Sequence, residues 1–136
     1  MKRIVFKPAF AVLLASALVL GAFAADAPSV KITHPAKWGV GGEYPTDTIS
    51  GTVTGAPAGS KVVVYCYAGG QYWVQPMANS YLTSITGSSW STTTHLGQKY
   101  VALLVRSSFR TESPLDTPPT VGGDVLAKSE EVDGRR

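Results

Sequence analysis

From Val30 onward, short runs of β-branched and aromatic residues alternate with clusters of Gly, Pro, Ser and Asn, the spacing of an antiparallel all-β domain. Val30–Thr33 predicts a first strand, ended by His34-Pro35, and residues 36–47, with Gly39, Gly41, Gly42 and Pro45, read as a loop. Thr48–Thr54 sets Ile49, Gly51 and Val53 against Thr48, Ser50, Thr52 and Thr54, a strand with one solvated face. Lys61–Ala68 is apolar on both faces and therefore central. Gly69-Gly70 makes a two-residue hairpin turn, because both positions take φ > 0 without penalty. Gln71–Gln75 returns and Pro76 stops it. Met77–Ser89 is loop-like, with a short edge strand around Tyr81–Ile85. Trp90–Leu96 is a Thr-rich strand, Gly97-Gln98 turns the chain, and Tyr100–Ser107 is a second apolar strand. Residues 110–129 hold Pro114, Pro118, Pro119, Gly122 and Gly123, a long excursion, and a last strand is expected at Glu130–Arg136. That makes about seven strands, without an amphipathic helix or an internal repeat.

The segment ahead of these strands has a different pattern. Lys2, Arg3 and Lys7 precede the run Phe10–Phe23, in which only Ser16 is polar, and Ala22-Phe23-Ala24 supplies small residues for a signal peptidase. Residues 1–24 are therefore expected to be a removable, helical signal peptide, cleaved before Ala25, and 25–136 one domain. The apolar run is short for a bilayer span, which needs about 20 residues. No Cys follows it to carry a lipid, so no stable membrane insertion is expected after cleavage. The product is periplasmic or secreted.

This boundary changes the reading of charge. The chain has 12 Lys+Arg and 9 Asp+Glu, and three of the basic residues lie in the signal, so residues 25–136 are balanced. Nothing electrostatic points to nucleic acid or an anionic surface as partner.

Candidate chemistry is sparse. Cys66 is the only cysteine, so no intrachain disulfide forms, and it shares a strand face with Val62 and Val64, where burial raises a thiol pKa. With His34 and His95 it forms no nucleophile motif. Those histidines, with Glu43 and Asp47, lack metal-ligand spacing, and no acidic run matches a calcium loop. Glu112, Asp116 and Asp124 lie in the excursion, a poor frame for paired-carboxylate catalysis. No Gly-rich phosphate loop precedes a helix. The expectation is no catalytic residue, no metal and no cofactor.

The aromatic residues say more. A two-residue turn at Gly69-Gly70 pairs Ala68 with Gln71, Tyr67 with Tyr72, Cys66 with Trp73 and Tyr65 with Val74. One hairpin face then carries Val62, Val64, Cys66 and Trp73, the other Val63, Tyr65, Tyr67, Tyr72 and Val74. The first has no polar handle and is expected to be core. The second is expected to be a partly exposed patch whose Tyr65, Tyr67 and Tyr72 bind a ligand, with Trp38 as a further exposed ring. The competing reading packs these tyrosines in a core.

Ile49-Ser-Gly-Thr-Val53, Lys61-Val-Val-Val-Tyr65, Tyr72-Trp-Val-Gln-Pro76, Gly87-Ser-Ser-Trp90 and Tyr100-Val-Ala-Leu-Leu-Val105 together resemble bacterial extracellular immunoglobulin-like domains. The resemblance spans roughly residues 28–110 and, weakly, Val132–Arg135; the 110–129 excursion departs from it. It implies an immunoglobulin-like antiparallel sandwich, and its motifs describe packing. The reading is an exported, non-enzymatic binding module for an envelope protein or glycan. The alternative is a small secreted hydrolase or an inhibitor of one.

Overall fold

The computed structural model describes residues 26–136; the expected signal peptide, with its cleavage point, lies outside the described residues. The described chain is all-β, with no helix. Its strands are β1 (Ser29–His34), β2 (Thr46–Thr54), β3 (Lys61–Ala68), β4 (Gln71–Gln75), β5 (Ile85–Thr86), β6 (Ser89–His95), β7 (Lys99–Val105), β8 (Val125–Lys128) and β9 (Val132–Asp133). They form two antiparallel sheets, one ordered β1-β2-β6-β5 and the other β4-β3-β7-β8, with β9 also on β7.

Alternation in β2 buries Ile49, Gly51 and Val53 and turns Thr48 and Thr54 outward, as the pattern predicts. Ile49 and Val53 meet Val62, Val64, Cys66, Tyr100, Ala102 and Leu104 from β3 and β7 in one inter-sheet core that also holds Trp90. Gly51 is obligatory there. A Cβ at this position stands 1.8 Å from the Lys31 carbonyl oxygen and 2.7 Å from the Trp90 ring.

The second sheet is buried on both faces. On the side away from the other sheet, Val63, Tyr65, Val74, Val101, Leu103 and Val105 form a second core with Phe109 and Val125, and Tyr81, Leu82 and Leu115 pack over it. The Pro-rich excursion is the cover of this face. The Tyr65 hydroxyl donates to Thr111 Oγ1 at 2.7 Å, the Val74 N–H donates to Ser113 Oγ at 3.1 Å, and Tyr72 and Leu115 exchange both backbone bonds at 2.8 Å.

Among the described residues, nine strands stand where about seven were expected. β2 begins two residues earlier, at Thr46, and β7 ends at Val105. Three larger differences from the sequence reading lie elsewhere. The expected edge strand at 81–85 shrinks to β5, because Thr83 instead exchanges backbone bonds with Val62. The end of the excursion is a strand, β8, which follows the Gly122-Gly123 turn and pairs with β7. The last strand narrows to β9, after which Arg135 bridges in parallel to Lys37.

Candidate functional site

The β3–β4 hairpin has the register that two left-handed glycines impose, with Gly69 at φ 63° and Gly70 at φ 81°. Ala68 faces Gln71, Tyr67 faces Tyr72, Cys66 faces Trp73 and Tyr65 faces Val74. The expected pairs form, and Cys66 lies on the inter-sheet side.

The solvent exposure expected for the other face is corrected at Tyr65, which is fully buried beneath the excursion. Period-2 alternation gives the face of a residue but not whether a distant loop covers that face. Tyr67 and Tyr72 lie nearer the hairpin end and are half-buried, with ring centroids 4.9 Å apart. The Tyr72 hydroxyl is bonded to Glu131, which also sits 3.7 Å from Lys99 Nζ. Burial, then the Glu131 carboxylate, pushes Tyr72 up to about 12. Trp38 is half-buried, and the Arg136 guanidinium lies 4.7 Å from its ring centroid, so the chain's own C-terminus occupies one face of this ring. The structure thus brings Tyr67 and Tyr72 together, buries Tyr65, and sets Trp38 against the C-terminal residues.

Those residues are tightly tied. Arg135 Nη2 sits 2.9 Å from Asp47 Oδ2, its Nε donates to Pro35 O at 2.6 Å, and its backbone N–H donates to Ala36 O. Burial opposes ionisation of Asp47, but the backbone N–H groups of Lys37 and Thr48, with Arg135, outweigh it and hold the carboxyl below its ordinary range. Among the described residues, no three His, Cys, Asp or Glu side chains gather to hold a metal ion.

A different site stands on the other side of the hairpin. A cleft of about 460 Å³ opens between residues 40–43 and the stretch from Trp73 to Ala78, with Cys66, Ala68 and His95 also lining it. Backbone bonds from Gly39 to Gly97 O and from Gly41 to Leu96 O hold the first wall in place. Three large apolar side chains at this cleft are exposed, Val40 at 71%, Met77 at 55% and Trp73 at 41%. Trp73 was expected in the core with Cys66. It lies instead at the cleft because β4 is an edge strand.

The polar centre of the cleft is a buried glutamine. Gln75 Nε2 donates to Cys66 Sγ and to Trp73 O, both at 3.1 Å. Its Oε1 accepts the His95 backbone N–H at 2.7 Å and lies 3.0 Å from His95 Nδ1. The two backbone partners fix the amide orientation, since a carbonyl can only accept and an N–H can only donate. Oε1 therefore faces the imidazole, and Nδ1 must carry a proton. In the neutral ring Nε2 is left as the acceptor. Cys66 is 2% exposed, and burial pushes its thiol up to about 12, so it stays protonated at neutral pH and is a poor nucleophile.

Comparison with protein-family models, curated proteins and solved structures finds no significant match to this chain.

Gln75, Trp73, Met77 and Val40 were not singled out by the sequence pattern as site residues. A signal was present for two of them. Gly69-Gly70 sets Trp73 opposite Cys66 at a sheet edge, and Gln75 is a polar residue closing an apolar strand.

Proposed function

We propose that this chain is an exported binding module, an immunoglobulin-like β-sandwich released from a signal peptide of residues 1–24, which recognises an envelope protein through the Val40–Trp73–Met77 cleft. The convergence of those three exposed side chains on one concavity carries the reading, since soluble domains rarely gather exposed apolar groups outside a binding surface. The resemblance to bacterial immunoglobulin-like domains and the positively charged, then apolar, N-terminal segment support the fold and the export. The exposed area favours a protein over a glycan, because Val40, Met77 and Pro76 offer no hydrogen bonds to sugar hydroxyls and the free polar side chains of the lining are Glu43, His95 and Ser113 alone. The protonated thiol of Cys66 counts against a hydrolase that uses it.

The test has two arms. N-terminal sequencing of the exported fraction should begin at Ala25, within two residues, and full-length protein in membranes refutes export. Trp73→Ala and Met77→Ala should each leave the thermal midpoint within a few degrees while abolishing capture of the envelope partner. Capture that survives both substitutions refutes the cleft. Loss on Tyr67→Ala or Tyr72→Ala instead moves the site to the tyrosine pair and restores the glycan reading, because those half-buried rings suit stacking on sugar.

A further inference from the structure

The donor and acceptor inventory of the cleft limits what enters it. Its charged lining is a single carboxylate, Glu43, and no lysine or arginine lines it. Gln75 uses both amide hydrogens and both oxygen positions internally, on Cys66, Trp73 and His95, and so offers an incoming group nothing. The proton fixed on Nδ1 makes Nε2 the acceptor of the neutral His95 ring, and Nε2 has no hydrogen bond among the described residues. The Trp73 indole N–H, which would otherwise be a donor, is spent on Ala68 O at 2.9 Å. Carboxylate, imidazole nitrogen and π-face are all electron-rich, and the remaining side chains are aliphatic or thioether apart from the buried Cys66 thiol and the Ser113 hydroxyl, whose oxygen accepts the Val74 N–H.

From this we infer that the group taken by the cleft is a protonated primary amine on an apolar stem, the form presented by a lysine side chain of the partner protein. The inference rests on the cleft being the binding site. The stem packs on Met77, Val40 and Pro76, as lysine methylenes do on apolar surface. The ammonium head, a three-hydrogen donor with no acceptor, meets Glu43, His95 Nε2 and the Trp73 ring face. A carboxylate in the same position is repelled by Glu43 and has only the Ser113 hydroxyl as a side-chain donor. An alcohol fills the same volume without the charge term.

Three probes with one stem separate these cases: hexylamine, hexanol and hexanoate, each titrated into the isotope-labelled protein at neutral pH and followed by NMR. The expected result is that hexylamine shifts the signals of the Trp73 indole, the Met77 methyl and His95. It should bind at least about fivefold tighter than hexanol, the advantage of a partly screened charged hydrogen bond over a neutral one. Hexanoate should be the weakest. Glu43→Gln should remove most of the advantage of hexylamine over hexanol, and Trp73→Ala should weaken both. A short peptide carrying one lysine should displace hexylamine, and the same peptide acetylated on that lysine should fail to do so. Equal binding of hexanol and hexylamine at these residues overturns the amine assignment while leaving the cleft as the binding site. Tighter binding of hexanoate, or equal displacement by the acetylated peptide, overturns it in the same way. Shifts confined to residues outside the cleft, or none with any probe, overturn both the amine assignment and the cleft reading.

Discussion

Leu103 and Leu104 are neighbours on β7, both fully buried, yet they belong to different cores. Leu104 points into the layer between the sheets, where strand ladders on both sides supply its neighbours. Leu103 points to the opposite face, where the cover is the irregular segment after Val105 together with Tyr81 and Leu82. The inner layer is held by two regular sheets. The outer cover is held by a few anchors: the Tyr65–Thr111 and Val74–Ser113 bonds, the Tyr72–Leu115 exchange, and the Arg106–Asp124 backbone bond that closes the excursion. Equal burial therefore hides unequal support. A regular ladder resists collapse around a deleted side chain, whereas a loop held at separate points settles into the space.

The strongest disruption of the inner layer is expected at Gly51. An alanine there drives its methyl into the Lys31 carbonyl and the Trp90 ring, so β1 or β6 must move. Gly51→Ala should destabilise by at least about 3 kcal/mol, the upper end for overpacking, in denaturant titration. A loss below about 1 kcal/mol shows that β1, an edge strand, yields freely and that the inner layer is less rigid than its ladders suggest.

The two leucines give the direct comparison. Leu104→Ala should cost about 3 kcal/mol and Leu103→Ala about 2 kcal/mol, within the range for buried leucines and ordered by how far each site relaxes. Equal losses, measured by the same denaturant titration, establish that the excursion is as firm a wall as the opposing sheet.

Legibility in the sequence divides along the same line. β2, β3, β4, β6 and β7 were readable because alternation and the Gly69-Gly70 turn are local signals, and the hairpin pairs follow from turn geometry alone. The outer cover was not readable. Phe109, Leu115 and the Thr111 hydroxyl sit in a stretch whose Pro and Gly density signals only a loop, and nothing local says that it folds back over Tyr65. The cleft was half-legible. Trp73 could be placed opposite Cys66, but its exposure depends on β4 being an edge, a fact of sheet order. Gln75 gains its role from His95, 20 residues away on the other sheet.

Alkaline pH probes both layers through groups that burial keeps protonated. Cys66 and Tyr100 in the inner core and Tyr65 in the outer one are each pushed up to about 12, from ordinary values of 9.0 for the thiol and 10.0 for the phenols, with desolvation the main cause. These folded-state values are raised, so the folded protein holds more protons than the unfolded chain between pH 9 and 12. Stability falls as pH rises through that window. Below pH 9 the three groups contribute no slope. Unfolding free energy should thus be flat in this respect up to pH 9 and drop beyond it, and Cys66→Ala or Tyr100→Phe should make the decline shallower by one proton each. An unchanged alkaline slope in both variants shows that these groups titrate as readily folded as unfolded.

The smallest expected effect isolates the anchor between the outer face and its cover. Tyr65→Phe keeps the ring in the outer core and deletes only the hydroxyl that donates to Thr111. The loss at neutral pH should be about 1 kcal/mol, the ordinary net worth of one hydrogen bond. Thr111 Oγ1 is not stranded, because its own hydrogen goes to Glu112 O at 2.9 Å. Thr111→Val should lose more, because it also deletes the bond to Glu112 O and strands the buried Tyr65 hydroxyl, and the double variant should lose no more than Thr111→Val alone, since the Tyr65–Thr111 bond is already gone. Additive losses separate the two groups energetically and assign the anchoring of the excursion to Ser113 and Leu115. A loss above about 3 kcal/mol, more than one bond supplies, means that the hydroxyl holds the whole cover in place. The difference between the two faces of the sheet would then depend on one phenol.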